Sequence, residues 1–236
     1  MLPDTDVHLR LLEDRIDTLY RTDGEGRLLS TNEWDARPPP RFHLMRTRQG
    51  PIFRCRADLP DGLVDDLRQL CRKETPETAF DRLPALHDRY LDLLSQHEPV
   101  EKIWAGPAYA AGDLVLPTAE LVRITETNAE LLRAHFQDWL PDVPHRQPFF
   151  ARVLDGQAVS LCCSVRISDT VHCAGVETHP DFRGHGYAVD VVSRWARQVC
   201  ANGAMPFYST AWSNAASQRV ATRLGLRLVA VDFHVT

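Results

Sequence analysis

The feature that most constrains this chain is an apolar strand that runs through a glycine-bearing turn directly into an amphipathic helix, over residues 176–196. The turn contains Gly184 and Gly186. Because glycine has no Cβ, the backbone at these positions can approach a ligand closely. The unpaired amides at a helix N-terminus carry partial positive charge. The stretch therefore predicts a site for an anion such as a diphosphate, to which Arg183 adds a full charge.

The glycine spacing does not fit one common nucleotide-binding pattern, the dinucleotide fingerprint. That fingerprint requires G-x-G-x-x-G after a strand, whereas here only Gly184 and Gly186 are available and Ala188 follows. A strand-to-helix turn that holds no ligand is the simpler alternative for such a turn taken alone. The interpretation of the turn therefore depends on the elements around it.

Composition bears on the broad class of protein. The 236 residues include 27 basic and 32 acidic ones, a formal net charge of −5, which argues against a nucleic-acid-binding protein. No apolar run reaches the roughly 18 residues that a membrane span needs, and no N-terminal segment resembles a signal peptide. The six cysteines form no CxxC pair and the histidines show no ligand spacing. We therefore expect reduced thiols, no metal site and a cytoplasmic location.

The first half of the chain, residues 1–97, reads as a small mixed α/β domain. Helical spacing over 7–20 and 61–73 flanks two strand-like runs, 41–47 and 51–57, which a short turn joins into a hairpin. Several arginines lie on this hairpin; a solvated basic surface is the simple explanation, and contact with an anionic part of a ligand is the alternative.

The second half, residues 98–236, begins with a stretch rich in Gly and Pro, 98–117, which we interpret as an irregular connector. After it the pattern predicts the order β-α-β-β-β-α-β-α-β, with helices over 125–140 and 188–202. Asp155-Gly156 predicts a tight hairpin turn. The predicted fold class is therefore α/β (α+β).

The turn and its neighbours resemble the GNAT superfamily of N-acetyltransferases. Residues 183–188 match the superfamily's acyl-CoA signature, [Q/R]-x-x-G-x-[G/A]. The last predicted helix also resembles the closing helix of the superfamily, at Asn214, Ser217, Leu224 and Gly225. The resemblance covers about residues 98–236 and implies a mixed β-sheet flanked by helices, preceded here by the small α/β domain.

For the cofactor, the resemblance implies acetyl-CoA and no metal. In such folds the central strand splays from its neighbour, and its free backbone groups pair with the pantetheine arm. Those positions are here Val176, Glu177 and Thr178. The Val176 amide is the candidate to hold the thioester carbonyl and stabilise the oxyanion. Candidates for the diphosphate and for the arm are Arg183, Gly184, His185, Gly186, Tyr187, Ala188, Asn214 and Ser217.

For catalysis, the chemistry requires a base for the ammonium and a proton donor for the thiolate. His172 lies near the start of the central strand, on the same face as the strand's last residue, and titrates in a useful range. Glu177 is the competing base, nearer the thioester in sequence but on the opposite face unless a bulge rotates it. Where many members have a tyrosine acid, this chain has Ala221, so Tyr208, Ser209 or water is left as proton donor.

The resemblance thus implies transfer of an acetyl group from acetyl-CoA to the primary amine of a small molecule or peptide, by direct attack on the thioester. A non-catalytic acyl-CoA sensor stays open as a different class of function, because the usual tyrosine is absent. The chain also ends about one strand short of the superfamily's closing hairpin. We expect the N-terminal half, or a second subunit in a homodimer, to supply the missing strand.

Overall fold

The structure is a computed structural model that describes residues 6–76, 80–111 and 120–236, and it divides into two compact units. The first unit comprises Met1–Tyr109, Ser209–Asn214 and Leu228–Thr236, and the second comprises Ala110–Tyr208 and Ala215–Arg227. This grouping differs from the predicted contiguous domains 1–97 and 98–236, because the C-terminal strand belongs to the first unit.

The helices, in chain order, are α1 (Asp6–Leu19), α2 (Asp61–Cys71), α3 (His87–His97), α4 (Tyr187–Ala201) and α5 (Ala215–Arg223). The strands are β1 (Tyr20–Thr22), β2 (Leu28–Thr31), β3 (Phe42–Thr47), β4 (Gly50–Cys55), β5 (Ile103–Ala110), β6 (Val122–Arg123), β7 (Phe149–Leu154), β8 (Gln157–Ile167), β9 (Val171–Thr178), β10 (Met205–Ser209) and β11 (Arg227–Val235).

In the first unit the strands lie in the order β4-β3-β11-β5, and β1 pairs separately with β2. β3 and β11 are antiparallel, with register from Phe42↔Val235 to Thr47↔Ala230. The apolar sides of α2 and α3 are buried in the same core cluster as residues of β3 and β11. The N-terminal half therefore supplies the neighbour of the last strand, which was one of the two sources expected from the sequence.

Strand β5 corrects the prediction of an irregular connector over 98–117. Gly106 brings the chain close to a neighbouring backbone: a Cβ there would lie 2.0 Å from the Thr210 carbonyl oxygen. The Thr210 amide donates to the Pro107 carbonyl at 3.2 Å. A strand forms in spite of the Gly and Pro content because of this long-range pairing; residues 112–117 of the predicted connector lie outside the described part.

In the second unit the strands lie in the order β10-β9-β8-β7-β6. The pairs are antiparallel except for the parallel pair of β9 and β10. The predicted hairpin is confirmed, since Asp155 (φ 48°) and Gly156 (φ 76°) form the turn between β7 and β8. The predicted helix over 188–202 is confirmed as α4, whose buried residues include Val192, Trp195 and Val199.

The predicted helix over 125–140 is wrong as a continuous α-helix. Two 3-10 segments stand there instead, Glu126–Leu132 and Gln137–Asp142. The Asn128 side chain accepts the Thr125 amide at 2.8 Å, and the backbone of Asn128 is non-helical, with φ −134°. An asparagine that bonds to nearby backbone in this way competes with regular helix formation.

The predicted fold class is confirmed: the structure is a mixed α/β fold with strands in a mixed sheet and helices flanking it. Of the helices in the described ranges, none combines the length and apolarity needed to cross a membrane. Within those same ranges, no group of three or more His, Cys, Asp or Glu side chains is placed to hold a metal ion.

Candidate functional site

Strand β9 has a partner along its whole length on one edge, but only at its start on the other. Its register with β8 runs from Ile167↔His172 to Ser160↔Thr178. Its register with β10 ends at Phe207↔Cys173. Within the described part of the second unit, residues 174–178 of β9 therefore have no strand partner on the β10 side.

The backbone groups that face this open edge follow from the alternation of an antiparallel pair. The His179 amide donates to the Val159 carbonyl of β8 at 3.1 Å. Directly opposed residues alternate between bonded and non-bonded pairs, so the backbone of Glu177 is directed to β8. The backbone groups of Val176 and Thr178 point to the open edge. Of the three positions predicted to pair with a pantetheine arm, these two offer backbone groups to it, and Glu177 does not, because strand alternation turns its backbone away.

The glycine turn has the conformation that only glycine adopts easily. Gly184 has φ 83° and Gly186 has φ 85°, both in the left-handed region. Gly186 is the N-cap of α4, and its carbonyl accepts the Val189 amide at 2.9 Å. The amides that precede Val189 have no intrahelical acceptor. Apart from Gly184 itself and its two neighbours in the chain, no heavy atom of the described residues lies within 4 Å of the Cβ position at Gly184, so space for a ligand is present beside the turn.

Two side chains hold the turn in place. Arg183 Nε donates to the Thr178 carbonyl at 3.2 Å, which ties its exposed guanidinium to the end of β9. His185 Nδ1 donates to the Phe182 carbonyl at 3.2 Å, and its ring stacks on Tyr187 with centroids 5.4 Å apart. The predicted diphosphate residues 183–188 therefore form one continuous structure at the start of α4.

Arg223 is a residue that the sequence reasoning missed. It lies at the end of α5, and its guanidinium nitrogens are 3.5 and 3.7 Å from the position that a Cβ on Gly186 would take. A second cation therefore stands beside the turn. The only signal in the sequence is a basic residue in the last turn of a predicted helix, and its placement follows from tertiary structure.

His172 is buried on the α4 side of β9. Its side chain lies 2.8 Å from Ser164, Nδ1 to Oγ, and the Trp195 indole N–H donates to the same Oγ at 2.9 Å. Because Ser164 Oγ already accepts the indole proton, its own hydroxyl proton is available to His172 Nδ1. Burial lowers the pKa of His172 and so favours the neutral imidazole, whose Nδ1 lone pair is directed to Ser164.

Glu177 lies on the other face of β9 and is exposed. Its Oε2 accepts the Trp139 indole N–H at 2.6 Å. The register irregularity between β8 and β9 lies on β8, between Ser164 and Arg166, so the alternation of β9 is intact from Cys173 to Thr178. The two candidate bases therefore remain on opposite faces of the strand.

Tyr208 and Ser217 are in contact, although the first was predicted as a proton donor and the second as a cofactor-binding residue. Tyr208 is 5% exposed, and its hydroxyl lies 2.5 Å from Ser217 Oγ. Ala221, at the position where a tyrosine acid was expected, is fully buried. Ser209 and Asn214 belong to the first unit, and their roles stay predictions.

An open strand edge beside a turn with free helix-terminal amides suits a ligand that has an extended arm and an anionic group. The family follows from comparison with known proteins, since residues 149–230 match the model of the family described as GNAT acetyltransferase. The matched segment includes β9, the glycine turn and α4. No curated protein matches the sequence.

Solved structures agree with this fold. An acetyltransferase of the GNAT family from Novosphingobium aromaticivorans is 21% identical, with a TM-score of 0.50, over 58% of this chain and 65% of that chain. A GCN5-related N-acetyltransferase-like protein from Streptococcus suis is 15% identical, with a TM-score of 0.50, over 97% of this chain and 100% of that chain. The chain thus covers just under two thirds of the first protein and all of the second. At these identities the similarity shows the fold alone.

Proposed function

We propose that this chain is an N-acetyltransferase that moves an acetyl group from acetyl-CoA to the primary amine of a small molecule or peptide. The observation that carries the proposal is the open edge of β9 beyond Cys173, which leads directly to the glycine turn at the start of α4. A ligand with an extended amide-bearing arm and a diphosphate matches this combination of free strand groups and helix-terminal amides.

The residues present fit acetyl-CoA, which supplies the acetyl group as an activated thioester. The backbone of Val176 and Thr178 would bind the pantetheine arm, and the Val176 amide would stabilise negative charge on the thioester oxygen during attack. The amides of residues 184–188 would bind the diphosphate, together with the guanidinium groups of Arg183 and Arg223. Asn214 and Ser217 are further candidates for the arm.

The acceptor amine must lose a proton before it attacks. Glu177 is one residue from Val176 on an exposed face, whereas His172 is buried four residues before Val176, about 13 Å along the strand. Direct proton transfer therefore favours Glu177, and His172 would act through water. Tyr208, Ser209 or water would protonate the thiolate.

A non-catalytic acyl-CoA sensor is the second candidate function. It is favoured by Ala221, which provides no proton donor, and by the engagement of the Tyr208 hydroxyl with Ser217. A sensor would use the same open edge and glycine turn to bind the acyl-CoA, but it would not turn it over.

Incubation with acetyl-CoA and a pool of primary amines separates the two functions. We expect free thiol to appear together with acetylated amine, detected by thiol titration and mass spectrometry. Gly186→Val is the control, because it should remove cofactor binding and thiol release together. Tight acetyl-CoA binding without thiol release from any amine would favour the sensor.

The cytoplasmic location and the homodimer belong to the same proposal. All six cysteines are free thiols, and five of them are buried, which suits a reducing compartment. Light scattering of the purified chain measures the subunit number.

A further inference from the structure

The Trp139 indole is packed against β9 at Gly175. Its Cη2 lies 3.1 Å from the position that a Cβ on Gly175 would take, and its ring meets Phe149 edge-on at 6.2 Å and 79°. The absence of a side chain at Gly175 lets the indole lie close to the strand. From there its Nε1–H reaches Glu177 Oε2, two residues further along the same face.

A second contact restrains the same ring. The guanidinium of Arg146 lies over the Trp139 ring, 5.1 Å from its centroid, and Arg146 is in turn 3.2 Å from Asp142, Nε to Oδ1. Trp139 is therefore held by an aromatic edge, a cation and the strand itself. A donor fixed in this way keeps one carboxylate oxygen of Glu177 in one place, on a side chain that is exposed.

Glu177 is the exposed residue of β9. On the other face, His172 is only 8% exposed and is linked through Ser164 to Trp195 of α4. Glu177 is exposed and lies between Val176 and Thr178, whose backbone groups face the open edge. An acceptor that arrives from solvent therefore meets the Glu177 carboxylate on its way to a thioester held at Val176.

A cluster of rings follows directly after the end of β9. His179 lies two positions after Glu177, and its ring centroid is 4.1 Å from that of His135 and 5.9 Å from that of Phe182. Such rings pack well against an apolar or aromatic group. The carboxylate beside them suits a cation, so the face fits an ammonium group carried on an apolar or aromatic body.

We propose that Trp139 is a positioning residue that holds the Glu177 carboxylate on its side of β9. There the carboxylate binds the acceptor's ammonium and removes one of its protons. The inference rests on the proposed acetyltransferase function. The ammonium gives one proton to Glu177, the amine nitrogen forms a bond to the thioester carbonyl carbon, and the carbon–sulfur bond breaks. The second amine proton goes to the departing thiolate, and Glu177 returns its proton to solvent.

The test is a double-mutant cycle with butylamine, phenethylamine and lysine methyl ester as probe amines and acetyl-CoA as donor. Glu177→Gln should raise KM for the amine by roughly 10- to 100-fold, the loss expected for a charge-assisted contact, and it should also lower kcat, because an amide cannot accept the proton. Trp139→Phe keeps the ring but removes the N–H, and it should raise KM by a smaller factor. The double variant should be no worse than Glu177→Gln alone, because the indole N–H acts only through the carboxylate.

The KM for acetyl-CoA should be unchanged in all three variants, since they leave the Val176 backbone and the glycine turn intact. Trp34→Phe is the matched control: this tryptophan is 47% exposed in the first unit, and its replacement should change neither KM.

The outcomes separate this inference from the function on which it rests. If the increases in amine KM caused by Trp139→Phe and Glu177→Gln multiply in the double variant, the two residues act independently. Trp139 would then have a purely structural role, and the proposal would be overturned. Thiol release by the wild type with an unchanged amine KM in Glu177→Gln would overturn the inference alone. Binding of acetyl-CoA without thiol release from any probe would overturn the proposed function and this inference with it.

Discussion

The guanidinium of Arg223 lies beside Gly186, with one nitrogen 3.5 Å from the point where a Cβ would stand. Gly186 also has φ 85°, a conformation that side chains rarely adopt. The backbone conformation therefore restricts this position to glycine, and a Cβ there would be in van der Waals contact with the Arg223 guanidinium. Both features lie where α4 begins and where we propose that the diphosphate binds.

Gly186→Val should therefore strongly weaken CoA binding, and Arg183→Ala and Arg223→Ala should each weaken it by roughly tenfold, the loss of one charge-assisted contact. Isothermal titration with CoA measures the effect. Gly203→Ala is the matched control, because Gly203 has a similar φ of 87° but lies after the other end of α4. Unchanged CoA affinity in Gly186→Val would show that the diphosphate lies elsewhere.

Local signals explain which parts of the fold were predictable from the sequence. The Asp155-Gly156 turn and the glycine turn before α4 depend on backbone preferences of a few adjacent residues, and both turns form where predicted. Strand β5 depends on the close approach of Gly106 to Thr210, more than a hundred residues away. Long-range contacts of this kind leave no periodic pattern in the sequence.

The residues of the candidate site likewise divide into those with a local sequence signal and those placed by long-range contacts. Residues 183–188 could be found because they are contiguous and have a recognisable spacing. Arg223 and Trp139 could not, because α5 and a 3-10 segment bring them to the turn and to β9 through tertiary packing. Both 3-10 segments were missed, because the apolar spacing over 125–140 resembles that of a helix; in the structure Asn128 interrupts the first of them.

Removal of residues 1–97 should make the remaining chain insoluble or unstable. β11 would lose β3, its partner over six residue pairs. Asp232, which is 2% exposed, would lose Arg15 at 2.6 Å and His43 at 3.1 Å. A buried carboxylate left without its partners costs about 3–5 kcal/mol.

Size-exclusion chromatography and thermal unfolding test the truncated chain. Arg15→Ala in the full-length chain is the companion variant, since it breaks the ion pair with Asp232 and keeps β3. A truncated chain that is soluble, monomeric and equally active would show that the N-terminal half is an independent appendage.

His234 should make the stability of the fold sensitive to acid. Burial lowers its pKa from 6.5 to about 3. The unfolded chain therefore binds a proton below about pH 6.5, whereas the folded chain does so only near pH 3. The free energy of unfolding should fall as the pH decreases through this window, by up to about 1.4 kcal/mol per pH unit from this group.

His234→Phe should reduce that pH dependence, because phenylalanine does not titrate and can keep the stacking on Trp104, at 4.8 Å and 22°. Denaturant unfolding between pH 7.5 and pH 5 measures the slope, and His97→Gln, an exposed histidine, serves as control. Equal slopes in the wild type and in His234→Phe would assign the acid sensitivity to other groups.

His172 is the rival to Glu177 as the base. If His172 takes the proton, through water, then His172→Ala should lower kcat by roughly 10²–10⁴-fold, the usual range for a positioned general base. CoA affinity should hardly change, because the Val176 backbone and the glycine turn are untouched. Ser164→Ala removes the hydroxyl that contacts His172 Nδ1, and it should give a smaller loss in the same direction.

The pH profile distinguishes a base from a packing residue. Since burial lowers the pKa of His172, a rate that depends on its neutral form should fall only below about pH 6.5, as the imidazole gains a proton. This acidic limb should disappear in His172→Ala, together with most of the rate. If Glu177 is the base instead, His172→Ala should keep most of its turnover and Glu177→Gln should not. Near wild-type turnover in both variants would leave water, or a group outside β9, as the proton acceptor, and both assignments would then be wrong while the acetyltransferase function stands.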